Sequence, residues 1–402
     1  MNQKLTRYLT IAASLIMGVG IGFVVAFCSL SGMQQSASVS AETAQGAAKY
    51  TEIMNLVDQY YIGDDVDMTT VNDTMASGVI SGLGDRWSYY VSAEDYQAYQ
   101  NNIKNAYVGV GITIMALYDD EGALMGYEVT DVTQGGPAEA AGVLAGDVLV
   151  TVERQSVTEL SLTEVKNMVQ GEEGTQVLLG FQRGDADISF TVTRQSFTII
   201  PAEGMLLEGN VGYIIIENFD AGCSDAGKGY VEELTAQGAT SLLFDVRNNG
   251  GGLKSELTDL LDYLLPEGTV FHTINYAGEE EIIKSDASCI DMPMAVLVNG
   301  SSYSAAEYFA CALQEYGVGK VIGTQTCGKG YYQVGLSLSD GSAINLSIGK
   351  YFTPNGLSLI DVGVTPDVVV ELDDDLATKL AQKKLEPEED PQIQAALGCL
   401  LP

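Results

Sequence analysis

The stretch Met294–Gln333 limits most sharply what this chain can become. Met294–Val298 is an unbroken apolar run, the mark of a buried strand. Asn299–Tyr303 is a polar turn. Ser304 then heads a segment in which Ala306, Phe309, Ala310 and Leu313 recur at helical offsets. A strand, a sharp turn and a helix headed by a serine is one way of presenting a nucleophile. The first N–H groups of such a helix have no partner inside it, so they are available to an oxyanion. Farther on, Lys329 stands between Gly328 and Gly330, where missing side chains permit close approach of another backbone. Taken alone the pattern has a plain alternative, because serine is a common N-cap and Gly-Lys-Gly a common surface turn.

Charge narrows the field. Lys plus Arg number 19 against 54 Asp plus Glu, a formal net charge of −35 in 402 residues. Such a surface disfavours nucleic acid and polybasic contact with a membrane. A single histidine, His272, sits in a strand-like run, so a multi-histidine metal site is excluded and any Ser-His-Asp triad would have to use that residue. Six cysteines occur without a CxxC pair, which argues against zinc ribbons and thioredoxin-type redox work. Cys223 with Cys289 is a conceivable disulfide that the sequence does not decide. No cofactor is expected.

Lys4 and Arg7 precede an apolar run from Tyr8 to Leu30. As a helix it reaches about 35 Å, enough to cross a hydrocarbon layer. This predicts an uncleaved transmembrane signal-anchor over 1–30, with the rest of the chain on the extracytoplasmic side of a bacterial cell membrane. A signal peptide cut near Val39-Ser40-Ala41 is the rival. Residues 31–47, mostly small and polar, read as a linker. A helical region over 48–105 follows, with Ser92 capping one of its helices.

From 106 to 195 the pattern changes to short strands, opened by Tyr107–Ile112 and including Gly136–Val150. This run looks like a PDZ domain. In that fold the backbone of the opening loop, here Val108, Gly109, Val110, Gly111 and Ile112, receives the terminal carboxylate of a peptide that adds a strand to the sheet edge. Residues 196–370 alternate strands and helices, an α/β pattern. Neither GxGxxG nor a P-loop is present, so nucleotide binding is not expected. Residues 371–402 are acidic and helical, broken by Pro387 and Pro391, and read as a peripheral tail.

Several of these motifs, in one order, resemble the carboxyl-terminal processing (tail-specific) proteases. They are Gly82–Tyr90, the PDZ pattern, Phe244–Gly252, Val296–Glu307, Gly328–Gly330 with Gln333, Lys350–Pro354 and Gly363–Asp367. The resemblance implies a ClpP/crotonase-like α/β peptidase core with an inserted PDZ domain, preceded by the helical region and the transmembrane helix. Ser304 falls on the family's nucleophile, Lys329 on its lysine base 25 residues later, and Gln333 on the glutamine that orients the amine. Ala305 and Gly251 would supply the oxyanion hole. The implied partners are protein or peptide substrates with apolar carboxyl-terminal tails, the membrane, and a second copy in a homodimer. A lysine base must be desolvated, since a solvated amine has a pKa of about 10.4. Three departures stand beside the match: Gly250 replaces a proline, Tyr303 a small residue and Cys327 an aromatic one. A catalytically inactive PDZ adaptor on a protease scaffold is the alternative function.

Overall fold

The computed structural model describes residues 40–63, 65–119 and 121–401. The anchor expected over 1–30 lies outside them. Among the described residues no helix is long and apolar enough to cross a membrane. The chain divides into a unit ending at Met75 and one beginning at Ala76. In the first, a helix spans Ala41–Tyr60, so helix begins inside the stretch read as linker. Ser40 caps it by accepting from the Thr43 N–H, and Glu42 sits in its first turn, favourable against the helix dipole. The Tyr50 hydroxyl donates to Asn72 at 2.7 Å.

The second unit holds the peptidase-like core and the module of short strands. The core sheet has six strands in the order Ala202–Leu207, Val211–Ile216, Ser241–Asp245, Met294–Val298, Gly319–Gly323 and Val368–Val369. All neighbours are parallel except the first pair. Met294–Val298 reads as a continuous apolar run because both its faces are covered. Leu242, Phe244, Val296 and Val298 point to one face, into a core shared with the helices Cys223–Ala236, Lys254–Leu264 and Ala305–Glu315. Leu243, Ala295 and Leu297 point to the other, where the helix Pro391–Leu400 lays Ile393 and Ala396 on them. The carboxyl-terminal segment, expected to be peripheral, therefore closes one face of the core. Its apolar residues lie on a single stripe that its acidic composition hides.

A five-stranded antiparallel sheet stands beside this core, built from Gly268–Asn275, Glu280–Ser285, Tyr331–Ser337, Ala343–Phe352 and Tyr89–Val91. Tyr89–Val91 pairs with Ala343–Asn345, which brings the segment before the module onto the sheet that follows Lys329. The module has its own core, including Val129, Leu149, Val165, Val177 and Phe181. Ile112–Tyr118 is the edge of its main sheet, hydrogen-bonded on one side only, to Leu124–Val132. Gly111, in its opening loop, has φ +75°, a conformation that favours glycine.

Candidate active site

The turn after Met294–Val298 is fixed by side chains from a second loop. Asn299 Oδ1 accepts from the Ser301 and Asn248 N–H groups at 3.0 Å, and Asn299 Nδ2 donates to Asn248 Oδ1 at 2.9 Å. The buried Ser302 hydroxyl donates to the Val246 carbonyl at 2.7 Å, which commits that serine to structure. The Tyr303 N–H donates to the Asn249 carbonyl at 3.1 Å. Ser304 follows with φ 61° and ψ −121°. A non-glycine residue there costs about 1–3 kcal/mol, which the surrounding bonds must outweigh. The helix Ala305–Glu315 begins at the next residue, so the Ala305 N–H lies in its open first turn.

Glu307, 0 % exposed, is the main junction of the site. Its Oε1 accepts from the Thr326 hydroxyl at 2.6 Å and the Gly328 N–H at 2.5 Å. Its Oε2 accepts from the Lys329 N–H at 2.9 Å and the Ser304 N–H at 3.1 Å. One carboxylate oxygen thus joins the backbones of the serine and the lysine. Burial raises the Glu307 pKa, and its four donors oppose that rise.

Burial also pulls the Lys329 amine down to about 8, against the attraction of Asp85, Glu307 and Cys327 and with help from Arg86. Its Nζ lies 4.7 Å from the Trp87 ring centre and 5.9 Å from that of Tyr303. Trp87 packs against Tyr303 with ring centres 5.6 Å apart, tilted by 39°, and carries the Arg86 guanidinium at 4.2 Å. Arg86 also donates to Cys327 Sγ at 3.2 Å. Asp85 orders this segment by accepting from the Trp87 N–H and the Ser88 hydroxyl. The Lys329 carbonyl accepts from the buried Tyr351 hydroxyl. Gln333, expected to orient the amine, donates its Nε2 to the Ser347 hydroxyl at 2.9 Å and the Tyr331 carbonyl at 3.3 Å.

The glycine loop packs against the serine from the opposite side. Gly251 has φ +90°, and a Cβ there would lie 2.7 Å from Ser304 Cβ and 2.9 Å from the Ala305 nitrogen. Its own N–H is spent on Asn249 Oδ1 at 2.8 Å, so Gly251 is not the open donor the sequence suggested. Gly252 instead lines the cavity beside Ser304 and Ala305. That cavity has a volume of about 50 Å³, is open to solvent, and is walled by Phe271, Tyr308, Tyr332 and Tyr351. It suits an apolar side chain next to a scissile bond. His272 is not in its lining. The ring of His272 packs on Phe352, and its Nε2 faces Glu280. Cys223 and Cys289 are both free. No cluster of metal-ligating side chains occurs among the described residues.

Three parts of this site escaped the sequence. Glu307 sits at the Ser-x-x-Glu spacing of a capping box, a visible signal that says nothing of residues 326–329. Trp87, the one tryptophan of the chain, is brought to Lys329 by the strand pairing at Tyr89–Val91 and by the bonds of its neighbours Ser88 to Ser347 and Arg86 to Cys327. Tyr351 lies in the motif Lys350–Pro354, which says nothing of its bond to the Lys329 carbonyl.

Known proteins resemble the chain over most of its length. Residues 210–370 match Peptidase family S41, and residues 128–183 match the PDZ domain. A C-terminal processing peptidase from the chloroplast of Tetradesmus obliquus is 32% identical over 311 residues, covering 73% of this chain and 66% of that protein. A protein described as a CtpA-like serine protease in Staphylococcus epidermidis is 27% identical over 372 residues, covering 91% of this chain and 74% of its own. The crystal structure of an S41 protease from Bacteroides fragilis shares the fold, with a TM-score of 0.57 at 17% identity over 84% of this chain and 92% of that one.

Proposed function

The chain belongs to peptidase family S41 and carries a PDZ domain, and from that membership we propose that it cleaves protein tails with Ser304 as nucleophile and Lys329 as general base. The Lys329 amine takes the Ser304 hydroxyl proton as Oγ attacks the scissile carbonyl. The resulting oxyanion meets the N–H groups of Ala305 and Gly252. Collapse breaks the C–N bond, and the Lys329 ammonium returns its proton to the leaving amine. Water, deprotonated by the same amine, then hydrolyses the acyl-enzyme. Gln333 orients the Lys329 amine.

The observation that carries this reading is the single Glu307 oxygen bonded to both Ser304 and Lys329. The low lysine pKa supports it, because only the neutral amine accepts a proton. The substrate's apolar carboxyl terminus adds a strand beside Ile112–Tyr118, its carboxylate in the loop 108–112, and delivers the tail to Ser304. Residues 8–30 anchor the enzyme in a bacterial cell membrane with its catalytic part outside the cytoplasm.

Ser304→Ala and Lys329→Ala are each expected to abolish cleavage of a peptide with an apolar carboxyl end, measured by mass spectrometry, while binding of that peptide is retained. Unchanged turnover in Lys329→Ala refutes the lysine as base.

A further inference from the structure

The carboxyl-terminal helix reaches the active site through one buried arginine. Arg247 closes on Asp245 through Nε, at 2.9 and 3.0 Å, and through Nη2 at 2.5 Å. Its Nη1 donates to Asp390 Oδ2 at 2.7 Å and to Gln392 Oε1 at 2.8 Å. Arg247 is 8 % exposed, and Asp390 and Gln392 are each 1 % exposed. A guanidinium this deep requires all its partners, since breaking one side of a buried pair leaves a desolvated charge.

The loop leaving Arg247 carries this contact to the nucleophile. Asn248 turns the chain with φ 59° and pairs with Asn299 of the serine turn. Asn249 holds the Gly251 N–H through its side chain and the Tyr303 N–H through its carbonyl. Gly251 then lies against Ser304 and Ala305, and Gly252 lines the cavity beside them. The position of Arg247 is therefore inherited, bond by bond, by the glycines facing the nucleophile.

We propose that Asp390 is a positioning residue for the reaction: by holding Arg247 from the helix Pro391–Leu400, it sets the glycine loop at the distance from Ser304 that oxyanion stabilisation requires. The proposal rests on the reading of Ser304 as nucleophile. Asp390 also caps its own helix, with Oδ1 accepting from the Gln392 and Ile393 N–H groups at 2.8 and 3.3 Å. The test must separate the two duties. Asn caps a helix about as well as Asp, so Asp390→Asn keeps the cap and the size and removes the charge facing Arg247. Asp390→Ser keeps a capping oxygen but is too short to reach Arg247. Asp373 caps the neighbouring helix Asp374–Ala381 without touching Arg247, so Asp373→Asn controls for capping alone.

Turnover of a peptide substrate, binding of a peptide aldehyde, binding of a tail peptide and thermal unfolding are measured in the full chain. The aldehyde forms a tetrahedral adduct with the serine hydroxyl and so reports the oxyanion site. Both Asp390 variants are expected to lose at least tenfold in kcat, with aldehyde affinity falling in parallel. KM and tail-peptide binding stay within twofold, and Asp373→Asn behaves as wild type. Removal of a whole oxyanion donor costs about 10²–10³-fold, which bounds the effect of misplacing one. An active wild type with unchanged kcat in both Asp390 variants overturns the proposal. So does a loss of kcat matched by equal losses in tail binding or in folded fraction. A wild type that forms no adduct with the aldehyde overturns the Ser304 reading first, and this one with it.

Discussion

Replacing Gly250 with alanine sets a new Cβ 2.6 Å from the Tyr303 hydroxyl oxygen, and the next nearest atoms, at 2.9 and 3.4 Å, also belong to that ring. Gly250 is not among the residues with positive φ, so its backbone accepts a side chain without strain. Two effects then oppose one another. Alanine restricts the unfolded chain and by itself stabilises by about 0.4–1 kcal/mol. The clash obliges Tyr303 to turn away, forfeiting its packing against Trp87 at 5.6 Å, worth about 0.5–1.5 kcal/mol, and its share of the Lys329 ammonium at 5.9 Å, worth about 0.5 kcal/mol more. With Tyr303 present, Gly250→Ala is expected to destabilise by on the order of 1 kcal/mol. In a Tyr303→Ala background the clash is gone, and the same substitution is expected to stabilise by about 0.5 kcal/mol. The coupling between the two positions is thus about 1.5 kcal/mol. Four proteins carry the cycle, each followed by urea unfolding and by kcat/KM on one peptide. Additivity within about 0.5 kcal/mol would show that Gly250 and Tyr303 do not share that space and would refute the reasoning.

The site's titration and its buried carboxylate give two further outcomes. The Lys329 amine, held near a pKa of about 8 by burial, is mostly protonated at neutral pH. Log kcat/KM should therefore climb with unit slope below pH 8 and level off above it; a profile flat from pH 6 to 9 rules out Lys329 as the titrating base. Glu307→Gln leaves one acceptor oxygen for four donors and turns an amide NH2 on at least one of them. Bonds to a charged acceptor contribute about 1.5–3 kcal/mol each, so the variant should lose on the order of 3 kcal/mol of stability and about 100-fold in kcat. A Gln variant that matches the wild type in denaturant midpoint and turnover would remove Glu307 from its place at the junction.

The legible parts of this protein were those whose cause lies within a few residues. Met294–Val298 is a strand because it is covered on both faces, and an unbroken apolar run records that directly. Ala305–Glu315 announced itself through its period. The illegible parts were made by long-range packing. The helix Pro391–Leu400 looked like part of a solvated tail because the charges of the preceding residues dominate the segment, while Ile393 and Ala396 meet the sheet through a stripe only two turns long. Gln333 was assigned to the amine by its place in a motif, and nothing local announced the bond its register gives it to Ser347 of the paired strand. Asp390 lies 143 residues from Arg247, and no periodicity carries information over that span.

The three departures from the family pattern show why such contacts stay hidden. Along the sequence, Gly250, Tyr303 and Cys327 are unrelated exceptions. In space Tyr303 and Cys327 lie near one amine, and Gly250 lies against Tyr303. Gly250 is small where the Tyr303 phenol stands, Tyr303 supports Trp87, Trp87 covers the Lys329 ammonium, and Arg86 spans from Trp87 to Cys327. An aromatic at 327 would occupy the place where Arg86 reaches the thiol. Gly250 is therefore the steric condition for Tyr303, and steric compensation belongs to pairs of positions. A single sequence shows the members of such pairs without their pairing. Changing one member alone is then expected to perturb the lysine more than changing its partner along with it.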